Sequence, residues 1–204
     1  MSRLQQGEGE LDDLVADPRG VAWARGGQVF WSATDQPAQM MESETTWDPP
    51  MTLSLNGDEL LMISLDKIWS IERATGAENM LFDASTLGGL MPSGVIAEGD
   101  TYYITAANTQ WPYQGLICEL NILADPELTC SNESPPRAER PVVISDKVYW
   151  ETHRSIATRT RVNDQWIYEL IGLWHRPEAL QPDGAGGLIW LDPLEGALWR
   201  GASL

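Results

Sequence analysis

The chain has 204 residues and a formal net charge of -17, from 30 acidic and 13 basic residues, with an ordinary apolar content of 43%. That length is enough for one sizeable core. That charge repels phosphate backbones, which argues against a nucleic-acid partner, and favours cations; no apolar run approaches the roughly 18 residues of a membrane span.

Residues Met1 to Glu10 are polar and contain no apolar leader segment. The chain is therefore either cytosolic or begins after an export signal. Residues 1–9 read as a flexible tail and 10–204 as a single domain, complete or part of a larger one.

From Val21 onward an apolar stretch, a tight turn and an aromatic-rich run recur five times. The first copy is Val21 to Trp31 around Gly26-Gly27. The others run from Leu53 to Met62 around Asn56-Gly57-Asp58, Val95 to Ile104 around Glu98-Gly99-Asp100, Val142 to Trp150 around Ser145-Asp146-Lys147, and Ala185 to Trp190 around Gly186-Gly187. Aligned on Trp31, Met62, Ile104, Trp150 and Trp190, the spacings are 31, 42, 46 and 40. The last three suit a four-stranded blade of about 40–45 residues. The first is short by one strand, expected as a degenerate segment between Thr46 and Met51, where Trp47-Asp48-Pro49-Pro50 interrupts the chain.

The second copy shows the unit in full. Met51 to Leu55, Leu60 to Ser64, Ile68 to Arg73 and Asn79 to Asp83 read as strands, with turn residues at each junction. No apolar stripe of helical period lasts beyond one turn. In the third and fourth copies the further strands are Leu116 to Ile122, Glu127 to Ser131, Ile156 to Arg161 and Gln165 to Leu173. The fifth has a first strand near Gly184, then Leu188 to Leu191 and Ala197 to Ala202, and stops one strand short. Glu10 to Ala16 could supply that outer strand and close a ring. The expected fold is all-β, a β-propeller of about five small four-stranded blades, with N- and C-terminal strands sharing one blade.

The segments Val29-Phe30-Trp31-Ser32, Val148-Tyr149-Trp150-Glu151-Thr152 and Leu188-Ile189-Trp190-Leu191-Asp192 resemble the Tyr-Trp-Thr-Asp repeat of propellers of the low-density-lipoprotein-receptor type and their bacterial extracytoplasmic relatives. The resemblance covers three blades; Leu60-Leu61-Met62-Ile63 and Tyr102-Tyr103-Ile104-Thr105 depart from it. It implies the propeller fold and an extracytoplasmic setting, and no reaction.

Ten Trp against two Phe is a skewed aromatic content. Trp suits half-buried strand positions with a polar rim, so Trp31, Trp150 and Trp190 read first as core. Cys118 and Cys130 flank a turn at Ala124-Asp125-Pro126-Glu127, which allows either a cross-strand disulfide or two free thiols. Zinc has half a site at most. Asn132-Glu133-Ser134 matches a glycosylation sequon.

Ligands are expected on the loops joining the second and third strands, around the channel mouth. Those loops are read as 34–38, 65–67, 106–115, 152–155 and 192–196. Asp35, Asp66 and Asp192 lie on them and form a candidate Ca²⁺ site, Ca²⁺ taking about six to eight oxygen ligands. Two such carboxylates could also act as acid and base at about 5–9 Å separation. The competing reading is that Asp simply favours turns. Trp111 and Tyr113, stiffened by Pro112 on the longest loop, read either as a stacking surface or as a lid folded over the channel, and His153 is expected on the same side. No nucleotide motif or nucleophile elbow occurs. The expected function is a non-enzymatic binding or protein-interaction module with Trp111, Tyr113, His153, Asp66 and Asp192 at its ligand face. The alternative is a Ca-dependent propeller hydrolase or lactonase. The partner is an unidentified protein or small ligand, and no cofactor is required except Ca²⁺ in the alternative.

Overall fold

The computed structural model describes residues 11–36, 39–49, 51–87, 90–108, 115–121, 127–131, 139–145, 147–152, 155–162, 165–172, 177–183 and 185–201. Among these the chain is all-β, with nineteen strands in five antiparallel sheets and a single turn of 3-10 helix at Ala84–Leu87. Each sheet is a meander, its hydrogen-bonded neighbours also being neighbours in sequence.

The first sheet holds β1 (Leu11–Asp17), β2 (Gly20–Arg25), β3 (Gln28–Ala33) and β4 (Met40–Glu42). The second holds β5 (Met51–Asn56), β6 (Glu59–Ser64), β7 (Lys67–Glu72) and β8 (Glu78–Asp83). The third is β9 (Leu90–Glu98), β10 (Thr101–Asn108), β11 (Gly115–Asn121) and β12 (Glu127–Ser131). The fourth is β13 (Glu139–Ile144), β14 (Lys147–Glu151), β15 (Ser155–Val162) and β16 (Gln165–Gly172). The fifth has three strands among the described residues, β17 (Glu178–Pro182), β18 (Leu188–Asp192) and β19 (Ala197–Gly201).

Three expectations are corrected. Glu10 to Ala16 does not complete the fifth sheet: β1 pairs with β2, from Leu11 opposite Arg25 to Asp17 opposite Gly20. The copy at Val21 to Trp31 is therefore the second and third strands of its sheet, not the first and second. Counted from the residues that open the second strands, Gly20, Glu59, Thr101, Lys147 and Leu188, the spacings become 39, 42, 46 and 41, and the short first period disappears. The degenerate strand expected between Thr46 and Met51 is instead the three-residue β4, and Trp47 lies beyond it in non-strand chain, buried. The first strand of the fifth sheet also lies earlier than Gly184, at Glu178–Pro182.

The chain forms two compact units, residues 1–83 and 84–204. In the first, β2 alternates buried and half-buried positions, and its buried residues Gly20, Ala22 and Ala24 are small. Small residues on a pleated face let the second sheet approach closely, and β1 packs against β5. Trp31, Trp47, Met51, Leu53, Leu60, Met62 and Ile71 fill the space between the sheets. Each large side chain buried in this way contributes roughly 1.5–3 kcal/mol. Polar links cross the same interface, among them the Leu53 N–H, which donates to Asp13 Oδ2 at 2.9 Å.

In the second unit β9 packs on β13 and β13 on β17, so first strands of successive sheets again lie side by side. Ile117, Val148, Trp150 and Ala157 form one cluster; Val142, Tyr149, Ile156, Leu180 and Leu188 form another, with Trp190 half-buried against it. Trp31, Trp150 and Trp190 thus all serve packing. Buried Glu151 accepts the Leu180 N–H at 2.7 Å, and buried Arg159 pairs with Glu119, linking neighbouring sheets. Cys118 and Cys130 face each other across β11 and β12 and are joined by a disulfide.

Candidate functional site

In an up-and-down sheet the odd-numbered connections leave one edge and the even-numbered one leaves the other. Within the first unit, the β1–β2, β3–β4, β5–β6 and β7–β8 connections therefore emerge at matching edges of their two sheets, and their residues meet. The β1–β2 turn is Asp17-Pro18-Arg19-Gly20. Pro18 presets its backbone angle, and Asp17 Oδ1 accepts the N–H groups of Arg19 at 2.9 Å and Gly20 at 2.8 Å. In the β5–β6 turn Gly57 takes φ 58°, a left-handed conformation natural to glycine.

Arg73, just beyond β7, ties these turns together. Its Nη1 donates to Asp17 Oδ2 at 2.8 Å and to the Gly57 carbonyl at 3.1 Å. Its own N–H donates to the Asp58 carbonyl at 2.9 Å, and its carbonyl accepts Trp31 Nε1–H at 2.8 Å. The side chains of Arg73 and Asp17 are only 10% and 20% exposed. A Cβ on Gly20 would fall 2.7 Å from Arg73 Nη2 and 2.2 Å from the Ser32 carbonyl, so position 20 must be bare for the guanidinium to sit there. Arg19 makes a second, exposed pair with Asp58 at 2.5 Å. The Arg19 carbonyl accepts the Thr34 N–H at 2.7 Å, which draws the β3–β4 connection into the group.

Together these turns wall an open cleft of about 590 Å³, lined by Arg19, Thr34, Asp35, Asp58, Arg73 and Ala74 among others. A smaller recess of about 240 Å³ shares Ala33, Arg73 and Ala74 with it and is lined further by Trp31, Gln36, Gln39 and Met41. The two adjoin at these shared residues, the larger lined by charged side chains and the smaller by apolar ones and amides.

Of the residues anticipated from sequence, Asp35 lies in this cleft. It stands on the β3–β4 connection, not on the β2–β3 connection as expected, because the strand phase of the first sheet differs by one. Asp66 is half-buried in the β6–β7 turn, at the opposite edge of its sheet, beside Leu65 at φ 54°. Asp192, in the second unit, is buried and accepts the N–H groups of Leu194 at 2.9 Å and Glu195 at 3.1 Å. Its carboxylate shapes its own turn.

Asp183 behaves similarly. The N–H groups of Ala185 and Gly187, each at 2.7 Å, and then the Arg200 guanidinium hold its carboxyl below the ordinary value of 3.8. Among the described residues no three His, Cys, Asp or Glu side chains are placed to share a metal ion. Trp111, Tyr113 and His153 lie outside the described residues. The sequence reading passed over Asp17, Arg19, Arg73 and Gly20. The visible signal was the Asp-Pro-Arg-Gly turn, which matches the first connection of a blade once β1 is counted as a strand.

No protein-family model matches the chain, and no curated protein sequence is similar to it. Solved structures do resemble it in fold. A calcium-binding protein, regucalcin, of Agrobacterium tumefaciens aligns with a TM-score of 0.66 and 14% identity, over 96% of this chain and 74% of that one. A luciferin-regenerating enzyme aligns at 0.65 and 8% identity, over 91% of this chain and 69% of that one. The extracellular domain assigned to a hybrid two-component system of B. thetaiotaomicron aligns at 0.63 and 13% identity, over all of this chain and 28% of that one. At these identities the likeness is one of fold, and the fold is the five-bladed β-propeller. Among the described residues no helix is long and apolar enough to cross a membrane.

Proposed function

We propose that the chain is a non-enzymatic binding module that takes a partner or small ligand in the cleft between the turns of the first two sheets. The observation that carries this reading is the pairing of the cleft's charges. Arg73 is held on Asp17 in a shielded pair, while Arg19 meets Asp58 in an exposed one, so the Arg73 wall is ordered before any ligand arrives and binding loses little further freedom there. Asp17, with both oxygens taken up by N–H donors, is a poor starting point for metal capture. The disulfide, the structural likeness to an extracellular domain and the Tyr-Trp-Thr-Asp resemblance of β14 and β18 support an extracytoplasmic setting.

The second reading is a Ca-dependent hydrolase. The likeness to a calcium-binding regucalcin favours it.

Amide spectra of the labelled protein, recorded against a mixed panel of small polar and charged compounds, test the first reading. Shifts confined to Gly20, Thr34, Gly57 and Ala74 are expected. In parallel, millimolar Ca²⁺ should leave the melting midpoint unchanged, since only a ligand that binds the native state raises it. A Ca²⁺-induced rise accompanied by Ca-dependent lactone turnover would decide for the hydrolase.

A further inference from the structure

We infer that the cleft receives a cation on an aliphatic stem, a primary ammonium or guanidinium, and that Asp35 is its acceptor. This rests on the cleft being a binding site and adds the chemical class of what enters it.

The charge balance of the cleft points that way. Arg73 is neutralised by Asp17 and Arg19 by Asp58. Asp35 lines the same cleft, is exposed, and makes no hydrogen bond or ion pair with any of the described residues. Counting the two pairs and this carboxylate, the site carries one uncompensated negative charge. The molecule around it carries a net charge of -17, which repels anions and steers cations towards acidic clefts. A carboxylate or phosphate ligand could reach Arg19 only beside Asp58, against that field.

The apolar geometry supplies the rest. Ala33 and Ala74 line both the cleft and the recess, so a methylene stem can lie across them. Trp31 and Met41 close the smaller recess, where the amides of Gln36 and Gln39 can accept or donate further hydrogen bonds. Side chains of this kind cover apolar surface with the stem while the charged head stays at a polar rim. A free amine and a Lys or Arg side chain of a basic peptide share this chemistry.

The test uses agmatine and a short capped lysine peptide as cationic probes, with butyrate and glycerol as controls. Binding is followed by amide shifts of Ala33, Thr34, Asp35 and Ala74 and by calorimetry. Both cationic probes, or either one, should shift these amides; a response to the peptide alone assigns the site to a protein partner, and to agmatine alone, to a free amine. Asp35→Asn should weaken binding at least tenfold, whereas Asp66→Asn at the far edge of the next sheet should not. Raising NaCl from about 20 to about 300 mM should weaken it severalfold. Retained affinity in Asp35→Asn overturns the inference. So does a cleft response to butyrate or glycerol without one to the cations, which leaves the binding reading intact. Silence of these amides towards all four compounds overturns both.

Discussion

Arg73 holds four interactions at one place in the chain: a guanidinium bonded to Asp17 and to the Gly57 carbonyl, an N–H on Asp58, and a carbonyl on the Trp31 indole. Because Asp17 is mostly shielded from water, removing its partner leaves a poorly solvated carboxylate. Arg73→Ala should therefore cost about 2–3 kcal/mol in urea unfolding. Arg19→Ala, whose pair with Asp58 is open to solvent, should cost less than about 1 kcal/mol. Equal effects would contradict the difference in burial drawn here. None of this pairing was legible beforehand. Arg73 and Asp17 lie 56 residues apart, and only the correct count of strands brings their turns to matching edges. Asp35 was legible as a turn carboxylate and a candidate Ca²⁺ ligand, but its side of the blade was not, for the same reason.

At the level of the strand, legibility followed the apolar pattern. The second sheet was readable to within a residue at nearly every boundary, because its turns carry Gly, Asn and Asp and its strands carry dense Leu, Met and Ile. β1 was not. Its sequence, Leu-Asp-Asp-Leu-Val-Ala-Asp, has no buried position, and what holds it is pairing with β2 and packing on β5. β4 is three residues long, below what a sequence pattern can register.

The β11–β12 pair was readable, and its disulfide is the one covalent clasp in the chain. It spans 12 residues of sequence, a loop for which chain entropy gives about 3 kcal/mol of stabilisation. Replacing both cysteines with Ser should lower stability by about 2–3 kcal/mol and abolish any response to dithiothreitol. An unchanged urea midpoint would show that the ladder of hydrogen bonds alone holds this edge.

For the molecule as a whole, the period near forty was sufficient to identify the fold class, since each unit must bury its faces against neighbours and cannot do so alone. Composition also has a consequence at this scale. A net charge of -17 on 204 residues repels itself more in the compact state than in the expanded one. Raising NaCl from about 20 to about 300 mM should therefore raise the melting midpoint by about 2–4 °C, even though Arg19–Asp58 and the other exposed pairs are weakened by the same screening. A fall would mean that attractive pairs outweigh the excess of acids.

The cysteines add one more constraint. With two thiols in the whole chain, oxidation has a single intramolecular outcome. No scrambled isomer exists for the chain to be trapped in, and maturation outside a reducing compartment needs an oxidant without needing an isomerase to sort its products.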